Sequence, residues 1–271
     1  MSFPTLGLVS DVRRADDVAP MLRAMTDRCR VVAWHPGLPV DAVFVTSRRA
    51  PRALDAARAV GGRMALWHSA GDPPPESLAN AAITIGTDDT ADIRVPAPGI
   101  DLRLFRAVAP FLRERWRSKF RIDAPVEVPP DLSWRQRRTL LALCPAVAAT
   151  GTTALEALAF ATPLVTDATT AAELGGTPGV DMWVCADPAA AVELAVELGR
   201  DQRRAAAVGR AGRRLAERRH DLARPAAALA TAFGWPQHGD LVSTHLADLP
   251  TPPLARPFTR AAARVGELSM T

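Results

Sequence analysis

Short, mostly apolar runs alternate with amphipathic stretches along most of the chain. Runs of three or four residues that predict buried strands occur at 6–9, 31–34, 42–45, 64–67, 82–85, 126–128, 163–165 and 182–184. Between the first two runs, Val18, Met21, Leu22 and Met25 recur at helical spacing and predict a helix. Strands that alternate with helices pair in parallel through right-handed crossovers. The pattern therefore predicts an α/β fold with small parallel sheets.

Start signals place further helices. Pro51 suits the first turn of a helix that runs to about residue 60, and Ser133 is placed to cap another helix. Asp187 followed by Pro188 combines a capping carboxylate with proline at the first helical position. Asp201 then caps a long, Arg-rich helix. The second half is therefore expected to continue the alternation of strand and helix.

The chain changes character twice. Residues 93–104 contain two prolines and a glycine and are expected to form a linker rather than a core element. The tail after Trp235 is rich in proline and carries one further helical pattern over 260–268. The expected divisions are an N-terminal domain over 1–95, a C-terminal domain over 96–235 and the tail over 236–271.

The stretch 150–167 combines a small-residue turn, a helix start, a carboxylate one turn in and a buried strand. The helix is expected to open at Thr152 or Thr153, and Gly151 would let a ligand approach the backbone closely. The unpaired amides of a helix N-terminus attract phosphate, and Glu156 is placed to accept hydrogen bonds from sugar hydroxyls. Such an arrangement can hold a nucleotide diphosphate and its ribose. The alternative is an ordinary strand-turn-helix crossover with a threonine cap.

Composition narrows the function classes. Apolar residues make up 48% of the 271 residues, which allows a sizeable core. No apolar run of about 18 residues and no signal sequence is present, so a cytoplasmic location is expected. The three cysteines and five histidines show no metal-ligand spacing. No metal is therefore expected, and Cys144 and Cys185 are expected as buried thiols.

The positive charge comes almost entirely from arginine, because the single lysine is Lys119. The net charge is only +4, although the isoelectric point is about 9.7. Tyrosine is absent and alanine is abundant, which is typical of GC-rich coding DNA. Nucleic-acid binding is therefore not predicted.

A basic amphipathic pattern covers residues 112–121. Leu112, Trp116 and Phe120 recur every four residues among arginines and Lys119. This pattern is compatible with an anionic membrane surface. The alternative is a solvated helix that packs its three apolar side chains on the domain. Peripheral contact with the inner membrane face is therefore kept as an expectation beside the ordinary surface helix.

Four features stand in a recognisable order. The first is His68, at the end of a predicted strand. The second is Val-Pro-Ala-Pro-Gly-Ile-Asp over residues 95–101, followed by Phe105, and the third is Arg-Ser-Lys-Phe-Arg-Ile over 117–122. The fourth is Ala-Leu-Glu-Ala-Leu-Ala-Phe-Ala-Thr-Pro-Leu-Val over 154–165. This order resembles retaining GT-B glycosyltransferases of family four over roughly residues 60–235. The helix with Glu156 is the most specific part and is also similar to lipid-A-disaccharide synthases, which share the fold.

The resemblance implies two small Rossmann-like domains facing a cleft, with reduced parallel sheets in this short chain. The first domain would hold a hydroxyl acceptor and the second a nucleotide sugar, at the carboxyl ends of the strands. It implies transfer of a sugar from a nucleotide diphosphate to that acceptor, without a cofactor. The implied nucleotide-sugar-binding residues are Gly151, Thr152 and Thr153, through their backbone at the diphosphate, and Glu156 at the ribose.

On the acceptor side, the resemblance makes His68 the catalytic candidate, reaching toward the transferred sugar. The alternative is a strand-end polar residue bonded to backbone, and Asp72 is a candidate to orient the imidazole. Ser10 and Asp11 follow the first strand, at the usual ligand edge of a parallel sheet, and are acceptor-side candidates.

The chain departs from the family pattern in three places. Ala148 stands where the family has a second glutamate, eight positions before Glu156. Only about 25 residues separate Val126 from Gly151, so the loops that carry the family's cationic diphosphate clamp are missing. The N-terminal domain is short, and it has a plain Ser-Asp pair where many members have a glycine-rich loop.

These departures motivate two alternatives. One is a non-catalytic relative kept as a binding or assembly protein. The other is a different enzyme on a flavodoxin-like or Rossmann scaffold, although no G-x-G-x-x-G follows a strand. A shortened domain can also expose apolar surface that a second copy covers, so a homo-oligomer is compatible with the sequence. The sugar, the base, the acceptor and the stereochemical course stay open.

Overall fold

The computed structural model describes residues 4–9, 15–35, 37–46, 55, 60–61, 63–68, 82–120, 122, 126–129 and 132–235. Within these ranges the chain forms two parallel β-sheets and eight α-helices. The α/β architecture predicted from the apolar pattern is confirmed. Of the predicted helix at 51–60, only residues 55 and 60 are described, as helix and turn respectively. The predicted helix at 260–268 and the residues Ser10, Asp11 and Asp72 lie outside the described residues.

The first sheet has six strands in the order β2-β1-β3-β4-β5-β6, all parallel to their neighbours. The strands are β1 (Thr5–Val9), β2 (Arg30–Ala33), β3 (Ala42–Val45), β4 (Met64–His68), β5 (Ile83–Gly86) and β6 (Ile93–Arg94). Helix α1 (Ala15–Met25) joins β1 to β2 and buries Val18, Met21 and Met25 against the sheet. The central strands β3 and β4 are buried along their whole length. The edge strand β2 is only half-buried, although its sequence predicted a buried strand.

The prediction that residues 93–104 form a linker without core residues is partly wrong. Ile93 and Arg94 form the sixth strand, with Ile85 opposite Ile93 in the parallel register. Val95 and Ile100 are buried, and Leu102–Leu104 forms a short 3-10 helix. The prolines and the glycine shorten the strand, but the apolar residues Val95 and Ile100 are nevertheless buried in the core.

The second sheet has four strands in the order β10-β9-β8-β7, again all parallel. They are β7 (Val126–Glu127), β8 (Val147–Ala148), β9 (Leu164–Thr166) and β10 (Trp183–Val184). The helices of this unit are α2 (Pro110–Phe120), α3 (Trp134–Leu143), α4 (Gly151–Ala159), α5 (Ala168–Leu174), α6 (Pro188–Arg200) and α7 (Gln202–Arg219). Strands of two or three residues make this a reduced sheet, as expected.

Three predicted helix starts are confirmed. Ser133 and Gln136 form a reciprocal capping box at the start of α3. The Asp187 carboxylate accepts a hydrogen bond from Ala189 N at 3.1 Å, and that of Asp201 accepts one from Arg204 N at 3.0 Å. These caps satisfy amides that have no acceptor inside the helix.

Helix α7 packs closely against α4. A Cβ on Gly209 would lie 2.3 Å from the Ala161 carbonyl oxygen, and one on Gly212 would lie 2.6 Å from Leu158 Cδ2. Arg213 also donates a hydrogen bond to the Ala159 carbonyl. The two glycines thus allow α7 to approach the carboxyl end of α4 closely, and Arg213 hydrogen-bonds a carbonyl there.

The last described helix, α8 (Ala223–Ala232), returns to the first sheet and buries Ala226, Leu229 and Ala230 in its core. The described chain accordingly divides into two compact units, residues 4–101 with 221–235, and residues 102–220. Residues 223–232 fall within the C-terminal domain expected over 96–235, whereas the contacts of this helix lie in the first unit. The divisions expected near residues 95 and 235 themselves stay predictions.

Candidate functional site

The site expected in the second unit begins at the carboxyl end of β8, where Thr150 leads into α4. The helix starts at Gly151, one or two residues before the predicted start at Thr152 or Thr153. Gly151 has a left-handed φ of +54° that favours glycine. Thr150 is the N-cap residue but makes no side-chain capping hydrogen bond. The turn is thus a strand-turn-helix crossover with a threonine at the N-cap, as the alternative expectation has it, but without a hydrogen bond from the threonine side chain.

The first amides of α4 stand at an exposed helix end. The Ala154 amide donates to the Thr150 carbonyl at 3.3 Å and begins the ladder of the helix. The amides of Thr152 and Thr153 precede that bond and have no acceptor inside the helix. Thr152 is exposed and Thr153 is half-buried. This end can therefore offer donors and positive partial charge to an anion.

A second helix start is tied to the first. The Asp167 carboxylate, directly after β9, accepts hydrogen bonds from Thr170 N at 2.7 Å and from Thr170 Oγ1 at 3.1 Å. Thr170 Oγ1 in turn accepts a hydrogen bond from Gly151 N at 3.3 Å. The carboxyl ends of the neighbouring strands β8 and β9 are thus joined through three side-chain hydrogen bonds, which hold the Gly151 turn in place.

Glu156 lies one turn into α4 and is only 4% exposed. Its carboxylate accepts two hydrogen bonds from Arg137 on α3, from Nε to Oε2 at 2.8 Å and from Nη2 to Oε1 at 3.2 Å. The bond to Glu156 raises the pKa of Arg137 above its ordinary value, against the smaller opposing effect of burial. A two-point pair of this kind fixes the plane of the carboxylate.

Sequence reasoning missed Arg137. It stands four residues after Ser133, so the capping box of α3 sets the position of its helix turn. Nothing in the sequence links Arg137 to Glu156, which follows 19 residues later on another helix. The structure thus places the cation of Arg137 beside the Glu156 carboxylate. The loops that carry the family's cationic diphosphate clamp are missing from this chain.

In the first unit, His68 is the last residue of β4 and is 4% exposed. Its register partner on β5 is Gly86, and a Cβ there would lie 2.9 Å from the imidazole atoms Cε1 and Nε2. The ring Nδ1 lies 3.6 Å from Asp88 Oδ2. A glycine thus makes room for the imidazole, and an acid from the loop after β5 stands beside it.

Asp88 is itself held in place. Its Oδ1 accepts hydrogen bonds from Thr90 Oγ1 at 2.6 Å and Thr90 N at 3.0 Å. The hydrogen bond from the Thr90 side chain is the main cause that lowers the pKa of Asp88, and the nearby His68 contributes a smaller lowering. Asp88 is therefore the carboxylate beside the imidazole in the described structure. Asp72, the candidate from the sequence, lies outside the described residues.

Helix α2, for which membrane contact and an ordinary surface helix were both expected, packs part of its apolar stripe inside the unit. Trp116 and Phe120 stack with ring centroids 5.4 Å apart and pack against the cluster of Ile122, Leu140 and Leu143. Leu112 remains at the surface.

Two further features bear on binding. No group of three or more His, Cys, Asp or Glu side chains is placed to hold a metal ion within the described part of the chain. None of the helices in that part combines the length and the apolar character needed to cross a bilayer. Cys144 is buried, whereas Cys185 is only half-buried, in contrast to the expectation for it.

Residues 97–231 match the model of a family described as glycosyl transferase-like. A glycosyltransferase from Rickettsia africae is similar over 86% of this chain and 98% of its own, at 9% identity and a TM-score of 0.51. HepE of Anabaena, solved with UDP and glucose, is similar over 86% of this chain and 100% of its own, at 14% identity and a TM-score of 0.49. Sucrose-phosphate synthase from Thermosynechococcus elongatus is similar over 85% and 98%, at 12% identity and a TM-score of 0.47. No curated protein matches the sequence.

The likeness to the Rickettsia africae protein is one of fold, since only 9% of the residues are identical. It agrees with the α/β fold and parallel sheets that the resemblance to GT-B enzymes implies. Membership of family four in particular stays a prediction.

Proposed function

We propose, from the premise that residues 97–231 of this chain belong to the glycosyl transferase-like family, that the protein moves a sugar from a nucleotide diphosphate sugar to a hydroxyl acceptor. The observation that carries the proposal is the start of α4, with its two unpaired amides and a positioned carboxylate one turn later. Thr152 and Thr153 lie four and three residues before Glu156, so the three residues share one helix face.

The diphosphate is proposed to bind at the backbone of Gly151, Thr152 and Thr153. The amides of Thr152 and Thr153 are the proposed donors, because the Gly151 amide already donates to Thr170 Oγ1. A helix N-terminus contributes about 0.3–1 kcal/mol toward a charged group at an exposed position. Because this is modest for two phosphates, backbone hydrogen bonds have to supply much of the affinity. The hydrogen bonds through Thr170 keep the turn in one geometry, which lowers the entropy lost on binding.

Glu156 is proposed to accept hydrogen bonds from the ribose hydroxyls. Each carboxylate oxygen receives one bond from Arg137 and retains further acceptor capacity, since an ionised carboxylate has about four lone-pair sites. Arg137 would hold the carboxylate in one orientation through its two hydrogen bonds. The nearly complete burial of Glu156 implies that only a ligand lying directly on this part of α4 can reach it.

His68 is proposed as the catalytic residue of the first unit, contacting the substrate, with Asp88 as a residue that positions its imidazole. Ser10 and Asp11 remain acceptor-side candidates. The transition state of such a transfer resembles an oxocarbenium ion with a departing diphosphate, so catalysis depends on orientation and on stabilising the charge of the leaving group. No cofactor or metal is proposed, and a cytoplasmic location remains part of the proposal.

The test is nucleotide binding by calorimetry and thermal shift, using UDP, GDP, ADP and dTDP. A nucleotide at 100 times its Kd stabilises the fold by about 2.7 kcal/mol, which corresponds to a rise in Tm on the order of 5–10 °C for a chain of this size. We expect one base to give this shift. Release of the same nucleotide from its sugar conjugate, in the presence of hydroxyl acceptors, then measures transfer.

The matched variants are Glu156→Gln and Glu217→Gln. Both glutamates pair with an arginine, but Glu217 lies on the exposed side of α7, at 2.8 Å from Arg213 Nε. We expect E156Q to remove nucleotide binding and E217Q to retain it. Equal affinity of wild type and E156Q for every nucleotide would contradict the assignment of the ribose site. No shift with any nucleotide would favour the non-catalytic alternative, a binding or assembly protein.

A further inference from the structure

Helix α2 presents an exposed face on which apolar and cationic side chains lie side by side. Phe111 is 72% exposed and Leu112 is 36% exposed. Arg115 and Lys119 are also exposed and follow Phe111 at intervals of four residues. Residues four apart are neighbours on a helix surface, so Phe111, Arg115 and Lys119 form one row with Leu112 beside it.

The opposite face of α2 is fixed inside the second unit. Arg113 donates to the Phe160 carbonyl at 2.9 Å, and Arg117 donates to the Leu143 carbonyl. Burial lowers the pKa of Arg113 to about 10, which leaves it charged at neutral pH. Because these arginines satisfy carbonyls at the ends of other helices, α2 cannot rotate about its axis to hide Phe111 and Leu112.

The surroundings of this face are strongly positive. Residues 102–120 contain five arginines and Lys119, and the only acid among them is Glu114. Lys119 Nζ lies 4.8 Å from the centroid of the Trp116 ring, which keeps this charge near the outer edge of the aromatic pair. The electrostatic field at the α2 face therefore favours a negatively charged partner.

We propose that this face of α2 docks on an anionic lipid surface, with Phe111 and Leu112 entering the interface and Arg115 and Lys119 meeting lipid phosphates. The mixture favours a membrane, since long cationic side chains can keep their charged ends among headgroups while apolar neighbours insert. The residues differ from those in the sequence expectation, because Trp116 and Phe120 are partly buried against the cluster of Ile122, Leu140 and Leu143, whereas Phe111 is exposed. The docking on lipid does not depend on the proposed sugar transfer.

The test is co-sedimentation of the full chain with vesicles of phosphatidylcholine alone or of an equimolar mixture with phosphatidylglycerol. We expect binding only to the anionic vesicles and weaker binding at high salt. Each cation near an anionic surface is worth about fivefold in affinity, so Arg115→Glu with Lys119→Glu should weaken partitioning at least twenty-five-fold. Phe111→Ser with Leu112→Ser should weaken it at least tenfold, because two apolar side chains no longer leave water.

Two matched controls distinguish binding through this face from unspecific electrostatic or hydrophobic attraction to the vesicles. Arg30→Glu with Arg63→Glu makes the same change of charge at exposed positions of the first unit, and Val180→Ser removes an apolar side chain that is 55% exposed. Both are expected to bind like wild type. Equal loss in the Arg30/Arg63 variant would overturn the proposal in favour of unspecific charge attraction.

A second copy of the chain is the competing occupant. Analytical ultracentrifugation of wild type and of the Phe111/Leu112 variant, without lipid, distinguishes it. The proposal expects the same mass for both proteins. A wild-type dimer that dissociates in the variant, together with no vesicle binding, would show that this face is an interface between copies and would refute the membrane assignment. Circular dichroism of each variant confirms that the fold is retained.

Discussion

The ion pair between Arg137 and Glu156 allows a quantitative test of how the candidate site is held. Arg137→Met removes the guanidinium and leaves a carboxylate that is 4% exposed without its two charged donors. Breaking a buried pair by removing one partner costs about 3–5 kcal/mol. The side chain of Arg137 is itself 26% exposed, so water can reach the vacated space and we expect the lower end, about 3 kcal/mol.

The double variant gives the coupling energy between the two residues. In Arg137→Met with Glu156→Gln, the group left without its partner is a neutral amide, whose burial costs only about 1–3 kcal/mol. The two substitutions should therefore be non-additive, with a coupling energy of at least about 1.5 kcal/mol. Urea unfolding followed by circular dichroism and by tryptophan fluorescence measures each free energy of unfolding, and agreement of the two signals checks two-state behaviour.

An exposed pair serves as the control. Arg94 and Asp89 form an ion pair with side chains that are 65% and 83% exposed, so Arg94→Met with Asp89→Asn should show a coupling energy near zero. If the Arg137 and Glu156 variants add within about 0.5 kcal/mol, the carboxylate does not depend on the arginine. The account of Glu156 as a positioned acceptor would then be wrong.

Two further predictions concern the scaffold. Gly209→Ala should lower the free energy of unfolding, measured in urea, by about 1–3 kcal/mol, because the new Cβ would lie 2.3 Å from the Ala161 carbonyl oxygen. This loss is expected even though alanine favours a helix over glycine by about 1 kcal/mol. An increase in stability would refute the close packing of α7 on α4. Hydrogen bonds from Thr84 N and Oγ1, both 2.8 Å, lower the pKa of Asp92 from its ordinary 3.8. Because the folded pKa is the lower one, this stabilisation is present above 3.8 and is lost as the pH falls through the folded value. The stability of Asp92→Asn should therefore change less than that of wild type in this range, and parallel acid titrations of unfolding would contradict the assignment.

Local signals in the sequence predicted much of the fold correctly. Ser133, Asp187 and Asp201 each cap a helix through atoms within three residues, so the information is contained in a short segment. The apolar runs predicted the parallel strands, because burial in a sheet core requires little beyond hydrophobicity and length. The linker at 93–104 was misjudged, since its prolines and glycine hid the apolar residues that complete the first core.

The partners of the candidate site residues could not be predicted. His68 was found from its place at a strand end, but Asp88 reaches it because β4 and β5 pair in parallel. Likewise, Arg137 meets Glu156 only through the packing of α3 on α4. Each contact joins residues about 20 apart in sequence, and no local pattern specifies which side chains two packed elements bring together.

The sequence by itself determined the alternation of strands and helices, the position of the helix start at residues 150–153 and its family resemblance, because each depends on neighbouring residues. Only the tertiary structure decided that Glu156 is held by Arg137, and that α2 packs Trp116 against the unit and leaves Phe111 exposed. An amphipathic pattern states that one face will be buried, while the shape of the neighbouring elements selects which side chains enter the core.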